Sequence, residues 1–152
     1  MVVDISKIAG DEGATLSYSG EIKYDDFDFP VYVSGTVKNY SNQYVISCDI
    51  KTTCIAQCAR CLEEIKKEVE TSFEEMIGSE DCPESLKIVQ NTIDIDEAVY
   101  TSVLFSLSQK FLCKEDCKGL CFVCGTNLNE KECKCDKEVT DPRFDVLKKL
   151  LQ

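Results

Sequence analysis

The chain has 152 residues, of which 43% are hydrophobic and 30% charged, a length and composition suited to one globular domain with its own core. Histidine is absent and the formal net charge is −11. These two facts exclude serine–histidine and cysteine–histidine nucleophilic catalysis and any coating of nucleic acid through bulk electrostatics.

The opening MVVDISKIAG carries Asp4 and lacks a long apolar stretch, so it does not read as a signal peptide. No apolar run is long enough to span a bilayer, and a cytoplasmic protein without membrane contact is expected. Charge is unevenly distributed. Met1 to Gln109 holds 8 Lys+Arg against 20 Asp+Glu, about −12, whereas Lys110 to Gln152 holds 9 against 8, about +1.

From Thr15 to Tyr24, Leu16, Tyr18, Ile22 and Tyr24 alternate with polar residues, the period of a half-buried strand. An acidic turn, Asp25-Asp26-Phe27-Asp28, leads into a second strand, Val31 to Val37, with valines on one face. Asn39-Tyr40-Ser41-Asn42 supplies turn chemistry. A third run sets Tyr44, Ile46, Cys48 and Ile50 against Ser47, Asp49, Lys51 and Thr53, and a fourth alternates from Ile65 to Phe73. Four strands in meander order are predicted.

Beyond a polar loop at Gly78 to Glu84 the period changes. Asp94 and Glu97 form a capping pair for a helix running to about Lys110, with Ala98, Val99, Val103, Leu107 and Phe111 at helical spacing. Asp141-Pro142 is a helix start, followed by Phe144, Leu147, Leu150 and Leu151 on one apolar face. The expected fold is α+β: an antiparallel β-sheet packed against a helix, with a C-terminal cysteine-rich zinc-binding segment. Residues 1–112 would form sheet and helix, and residues 113–152 the cysteine-rich segment and terminal helix, docked as one domain.

Eleven cysteines cannot all pair as disulfides, and clustered thiols in a reducing compartment point to metal ligation. Cys58-Ala59-Arg60-Cys61 lies where the hairpin between the third and fourth strands must turn. Two thiolates separated by two residues grip one ion while backbone amides point at the sulfurs, which is half of a tetrahedral site. Cys113, Cys117, Cys121, Cys124, Cys133 and Cys135 supply six more ligands. Gly125, after the second knuckle, suits the positive-φ turn that brings amides to sulfur.

Eight thiolates are enough for two zinc sites. Cys121, Cys124, Cys133 and Cys135 make a self-contained ribbon-like loop, leaving Cys113 and Cys117 to meet Cys58 and Cys61. A competing grouping places Cys113, Cys117, Cys121 and Cys124 on one ion; the first is favoured because it orphans no half-site. Spacing alone does not separate zinc from an iron–sulfur cluster. Cys48 and Cys54 are expected in the core, and Cys82 as a surface thiol. Complete thiolate sets leave no open coordination position, so the zinc is expected to be structural and the protein not an enzyme.

The stretches Cys58-Ala59-Arg60-Cys61-Leu62-Glu63 and Cys113 through Asn129 (CKEDCKGLCFVCGTNLN), with Asp141-Pro142-Arg143-Phe144, resemble the YceD family of large ribosomal RNA subunit accumulation proteins. The likeness is greatest to its Gram-positive branch. Phe122 stands where the family usually has proline, and Ser108 and Phe111 where prolines often precede Cys113; none of these removes a ligand. The resemblance implies a cytoplasmic, non-catalytic role in accumulation or processing of large-subunit ribosomal RNA. Partners would be ribosomal RNA or ribosomal assembly components, met directly or indirectly. Arg60, Lys118 and Arg143, on or near the motifs, are the candidate contact residues. A thiol-based redox or metal-handling protein is the alternative.

Overall fold

The computed structural model describes residues 1–41, 43–78, 86 and 88–135. Cys82, Arg143 and the expected terminal helix lie outside them. Among the described residues seven strands and one helix run in the order β1 (Val2–Asp4), β2 (Thr15–Ile22), β3 (Val31–Tyr40), β4 (Gln43–Gln57), β5 (Glu64–Ile77), β6 (Ile88–Val89), β7 (Thr92–Asp94) and α1 (Asp96–Ser106). Strands β2 to β5 are hydrogen-bonded in the order β2-β3-β4-β5, the meander expected from the alternation. A second sheet, β1-β7-β6, adds to the expected meander. In it Val3 pairs with Ile93.

The alternation does what the period requires. In β3, Val31, Val33 and Val37 are buried while Tyr32, Ser34 and Thr36 face water, and in β4 Tyr44, Ile46, Cys48 and Ile50 are buried. Val99 and Val103 of α1 join the same core, together with Ile5, Ile93 and Ile95. Cys48 is fully buried among them, as expected of a small apolar side chain. Cys54 is only half-buried.

Gly35 in β3 pairs with Tyr18 on one side and Cys48 on the other. A Cβ there would fall onto the Ser47 carbonyl oxygen and lie 2.7 Å from the Tyr18 hydroxyl. The Tyr18 hydroxyl itself donates to the Ser47 carbonyl at 3.1 Å, so the ring covers the gap that the glycine leaves.

Helix α1 is shorter than the apolar spacing predicts. Ile95 occupies the N-cap without a side-chain hydrogen bond, and Asp94 instead accepts from the Asp96 amide at 3.1 Å. At the other end the Ser106 hydroxyl donates to the Val103 carbonyl at 2.7 Å and Leu107 turns extended. Serine competes here for backbone groups that a continuing helix would use. Leu107 and Phe111 therefore lie beyond the helix.

The residues divide into two compact units, Met1–Ala56 with Ile65–Gln109, and Gln57–Glu64 with the chain from Lys110 onward. The turn between β4 and β5 thus belongs with the cysteine-rich segment. The net charge of −11 falls entirely on the first unit.

Candidate metal centres

The second unit is organised by backbone hydrogen bonds that close two similar turns. The Cys58 amide donates to the Glu63 carbonyl and the Leu62 amide to the Cys58 carbonyl, at 2.8 and 2.9 Å. In the second turn the Cys121 amide donates to Thr126 and the Gly125 amide to Cys121, both at 2.8 Å. Gly125 has φ +72°, and its counterpart Leu62 has φ 61°, a left-handed conformation adopted by a leucine. The residues after the second cysteine are thus held alike although only one is glycine.

These turns aim amides at sulfur. The Arg60 and Cys61 amides face the Cys58 sulfur, and those of Val123 and Cys124 face Cys121. The Glu63, Gly119 and Thr126 amides face Cys61, Cys117 and Cys124. Such donors favour thiolate over thiol.

The first knuckle is braced from both sides. The Ala59 amide donates to the Phe111 carbonyl at 2.8 Å, and the Leu120 amide to the Arg60 carbonyl at 3.1 Å. Gly119, φ +73°, permits that approach, because a Cβ there would sit 3.0 Å from the Arg60 carbonyl oxygen. Cys58, Cys61 and Cys117 are buried, with Leu112, Cys113 and Leu120 packed against them.

The eight predicted ligands fall into two groups, Cys58, Cys61, Cys113 and Cys117, and Cys121, Cys124, Cys133 and Cys135. Within each group all four sulfurs lie within 4.8 Å of one another. This is the favoured grouping rather than the competing one. In the first group Cys58 and Cys117 are 3.8 Å apart and Cys61 and Cys113 3.6 Å. A disulfide would bring sulfurs to ~2 Å. A metal–sulfur bond of about 2.3 Å gives a tetrahedron whose edge is about 3.8 Å. Each group therefore has the dimensions to hold one four-coordinate metal ion. Four sulfurs this close do not leave room for several irons and their bridging sulfides.

The thiol acidities split within each group. Burial opposes ionisation of Cys58, but the Cys61, Arg60 and Cys113 amides outweigh it and bring the thiol down to about 6. Burial and the neighbouring sulfurs push Cys113 up to about 12. The Thr126 hydroxyl, 3.1 Å away, and the Thr126 amide bring Cys124 down to about 6. The adjoining Cys124 sulfur, then burial, raise Cys135 to about 12. Like charges this close cannot all develop without a cation among them, and one divalent ion would supply it.

Asn129 closes the motif CKEDCKGLCFVCGTNLN, and nothing in its spacing marks it as functional. Its Nδ2 donates to the Cys117 sulfur at 3.3 Å, and its Oδ1 accepts from the Lys118 amide at 2.9 Å. Arg60 turns its guanidinium onto the carbonyls of Glu115 and Cys117, at 3.1 and 2.9 Å. Lys118 is exposed, as are Leu62, Phe122 and Val123 at the knuckle tips. A basic residue beside a knuckle looks alike in sequence whether it serves a partner or the knuckle's own carbonyls.

No solved structure matches the chain. A protein of Mycobacterium tuberculosis without an assigned role is 26% identical over 98% of this chain and 68% of its own length. A Mycobacterium leprae protein is 23% identical over 71% of this chain and 54% of its own. The Arabidopsis thaliana chloroplast protein named large ribosomal RNA subunit accumulation protein YCED homolog 1 is 34% identical across 36% of this chain and 17% of its own. The family model described as large ribosomal RNA subunit accumulation protein YceD matches residues 46–151, a span that takes in both thiolate groups. The resemblance drawn from the cysteine motifs is borne out, and the chain belongs to the YceD family.

Proposed function

We propose that this protein is a non-catalytic, zinc-stabilised cytoplasmic factor that supports accumulation of large-subunit ribosomal RNA during ribosome biogenesis. The carrying observation is the pair of four-thiolate groups in a chain of the YceD family. All-thiolate sets suit structural zinc, and a saturated ion with a formal charge of −2 is a poor Lewis acid. Cys58, Cys61, Cys113 and Cys117 would hold one ion and Cys121, Cys124, Cys133 and Cys135 the other. The metals' contribution is the folding of a unit with little apolar surface of its own. Among the described residues no helix is long and apolar enough to cross a membrane.

The ribosomal role draws on the family description and on the name of the Arabidopsis relative. Its test is depletion in growing cells. The ratio of mature large-subunit to small-subunit ribosomal RNA should fall, and an unchanged ratio and ribosome profile would defeat the reading. Elemental analysis of the reduced protein tests the metal, with about two zinc ions per chain expected and iron the competing result.

A thiol-based redox or metal-handling role has one observation in its favour, the exposed Cys124 with its lowered pKa. Thiol titration separates the two. Thiols that react freely in the native, metal-loaded protein would favour the redox reading.

A further inference from the structure

On the first unit, the turn after β2, the end of β4 and the end of α1 enclose a groove of about 220 Å³. Phe27, Val103 and Leu107 line it, with Ile55 and Leu104 at its exposed margin. Phe105, next along α1, is 87% exposed. The volume is sufficient for a large aliphatic or aromatic side chain.

The groove's electrostatics are one-sided. Asp26 and Asp28 line it and no lysine or arginine does. Among the described residues neither carboxylate has a cationic partner. Among the described residues Asp26 accepts only the Tyr100 hydroxyl, at 3.0 Å, which leaves its second oxygen able to take another donor. A third source of negative potential is the C-terminus of α1, whose last turn has no basic residue although Val103, Leu104 and Leu107 at that end form part of the groove. The unit around it carries a net charge of −11.

We propose that this groove docks a cationic amphipathic segment of a protein partner, one that places an apolar side chain between Phe27 and Leu107 and arginine or lysine against Asp26 and Asp28. The chemistry decides between macromolecules. Phosphate oxygens would meet two carboxylates and the negative end of a helix, so RNA is disfavoured here. A guanidinium or ammonium beside an apolar anchor satisfies both halves of the surface. The inference goes beyond the ribosome-biogenesis reading and does not depend on it or on the metals.

The test uses the full-length, metal-loaded protein and a fluorescent synthetic helix with leucines on one face and arginines on the other. Saturable binding is expected, with no binding of the same helix carrying glutamates or of a single-stranded RNA oligonucleotide. Replacing Asp26→Asn and Asp28→Asn together should weaken binding about tenfold or more. Asparagine still accepts from Tyr100, and an unchanged unfolding midpoint would certify the fold. Glu74→Gln with Glu75→Gln, exposed on β5 and outside the groove, should leave affinity unchanged. Equal weakening by both pairs would reduce the effect to bulk charge and overturn the proposal. So would absence of saturable binding, RNA binding that the Asp26 and Asp28 changes alter, or a dimer that Leu104→Glu dissociates, which would assign the face to a second copy of the chain.

Discussion

Asn129, on the loop between Cys124 and Cys133 of one thiolate group, donates its Nδ2 hydrogen to the Cys117 sulfur of the other at 3.3 Å. The two groups are therefore not independent. Hydrogen bonds to ligand atoms tune metal affinity by about 10–100-fold. Asn129→Ala should weaken metal holding by Cys58, Cys61, Cys113 and Cys117 within that range, and Asn129→Asp should weaken it more, because a carboxylate would then face the sulfur. Competition with a chromophoric chelator resolves the two equivalents. Equal loss from both groups would remove the specific role given to Asn129.

Burial separates the groups further. Cys58, Cys61 and Cys117 are buried, whereas Cys124 is exposed and Cys133 and Cys135 are half-buried. Chelator should remove metal in two phases, first from Cys121, Cys124, Cys133 and Cys135. Cys124→Ser should abolish the fast phase and leave β2 to β5 protected in hydrogen exchange, since that sheet has its own apolar face. A single release phase in the wild-type protein would refute the ordering.

The left-handed conformation of Leu62 has a measurable cost of roughly 1–2 kcal/mol relative to a residue at ease there. Leu62→Gly relieves it while adding unfolded-state entropy worth about 0.5–1 kcal/mol. A small net stabilisation of the second unit is expected. Gly125→Ala, which asks alanine to adopt φ +72°, should destabilise by about 1 kcal/mol. Thermal unfolding of the metal-loaded variants checks both signs.

Gly35→Ala should be among the most damaging single changes to the first unit. The added methyl meets a backbone carbonyl that is fixed by β3–β4 pairing, so it cannot move aside. Destabilisation of about 3 kcal/mol or more follows from overpacking at an unyielding site. Denaturant unfolding followed by the strand signal should record it, and a loss below about 1 kcal/mol would mean that the Tyr18 ring swings away.

Much of this arrangement was legible in the residues. Strands β2 to β5 each carry an apolar face at period two, long enough to be unambiguous. The cysteine grouping followed from spacing and from leaving no pair alone. What escaped detection lacked a local signal. Strands β1, β6 and β7 are only two or three residues long, and Val2 with Asp94 and Val3 with Ile93 pair across most of the chain. The end of α1 turns on a serine hydroxyl reaching its own helix, which the apolar spacing through Phe111 disguises. Asn129 and Arg60 act through geometry that exists only once the knuckles are closed.

The tyrosines give the pH prediction. Burial, then the nearby Asp94, raise Tyr24 from 10.0 to about 12. Burial, then a hydrogen bond with Cys48, also raise Tyr18. An acid whose folded pKa is raised contributes stability that is present below the unfolded pKa and lost as pH climbs towards the folded one. The first unit should accordingly lose stability between about pH 10 and 12, with tyrosinate absorbance appearing late. Tyr24→Phe should flatten that alkaline limb, at the cost at neutral pH of the 2.8 Å bond from Tyr24 to the Asp96 carbonyl.

The second unit is discontinuous, with residues 65–109 intervening between Gln57–Glu64 and Lys110. During synthesis Cys58 and Cys61 leave the ribosome as an incomplete ligand pair and must wait for Cys113 and Cys117 before their coordination sphere can close. Everything between them is by then outside the exit tunnel, so capture of one ion would act as a late latch that records completed translation of the hairpin and helix. By the same topology, no fragment beginning at Lys110 contains a complete first group, however well its second group folds.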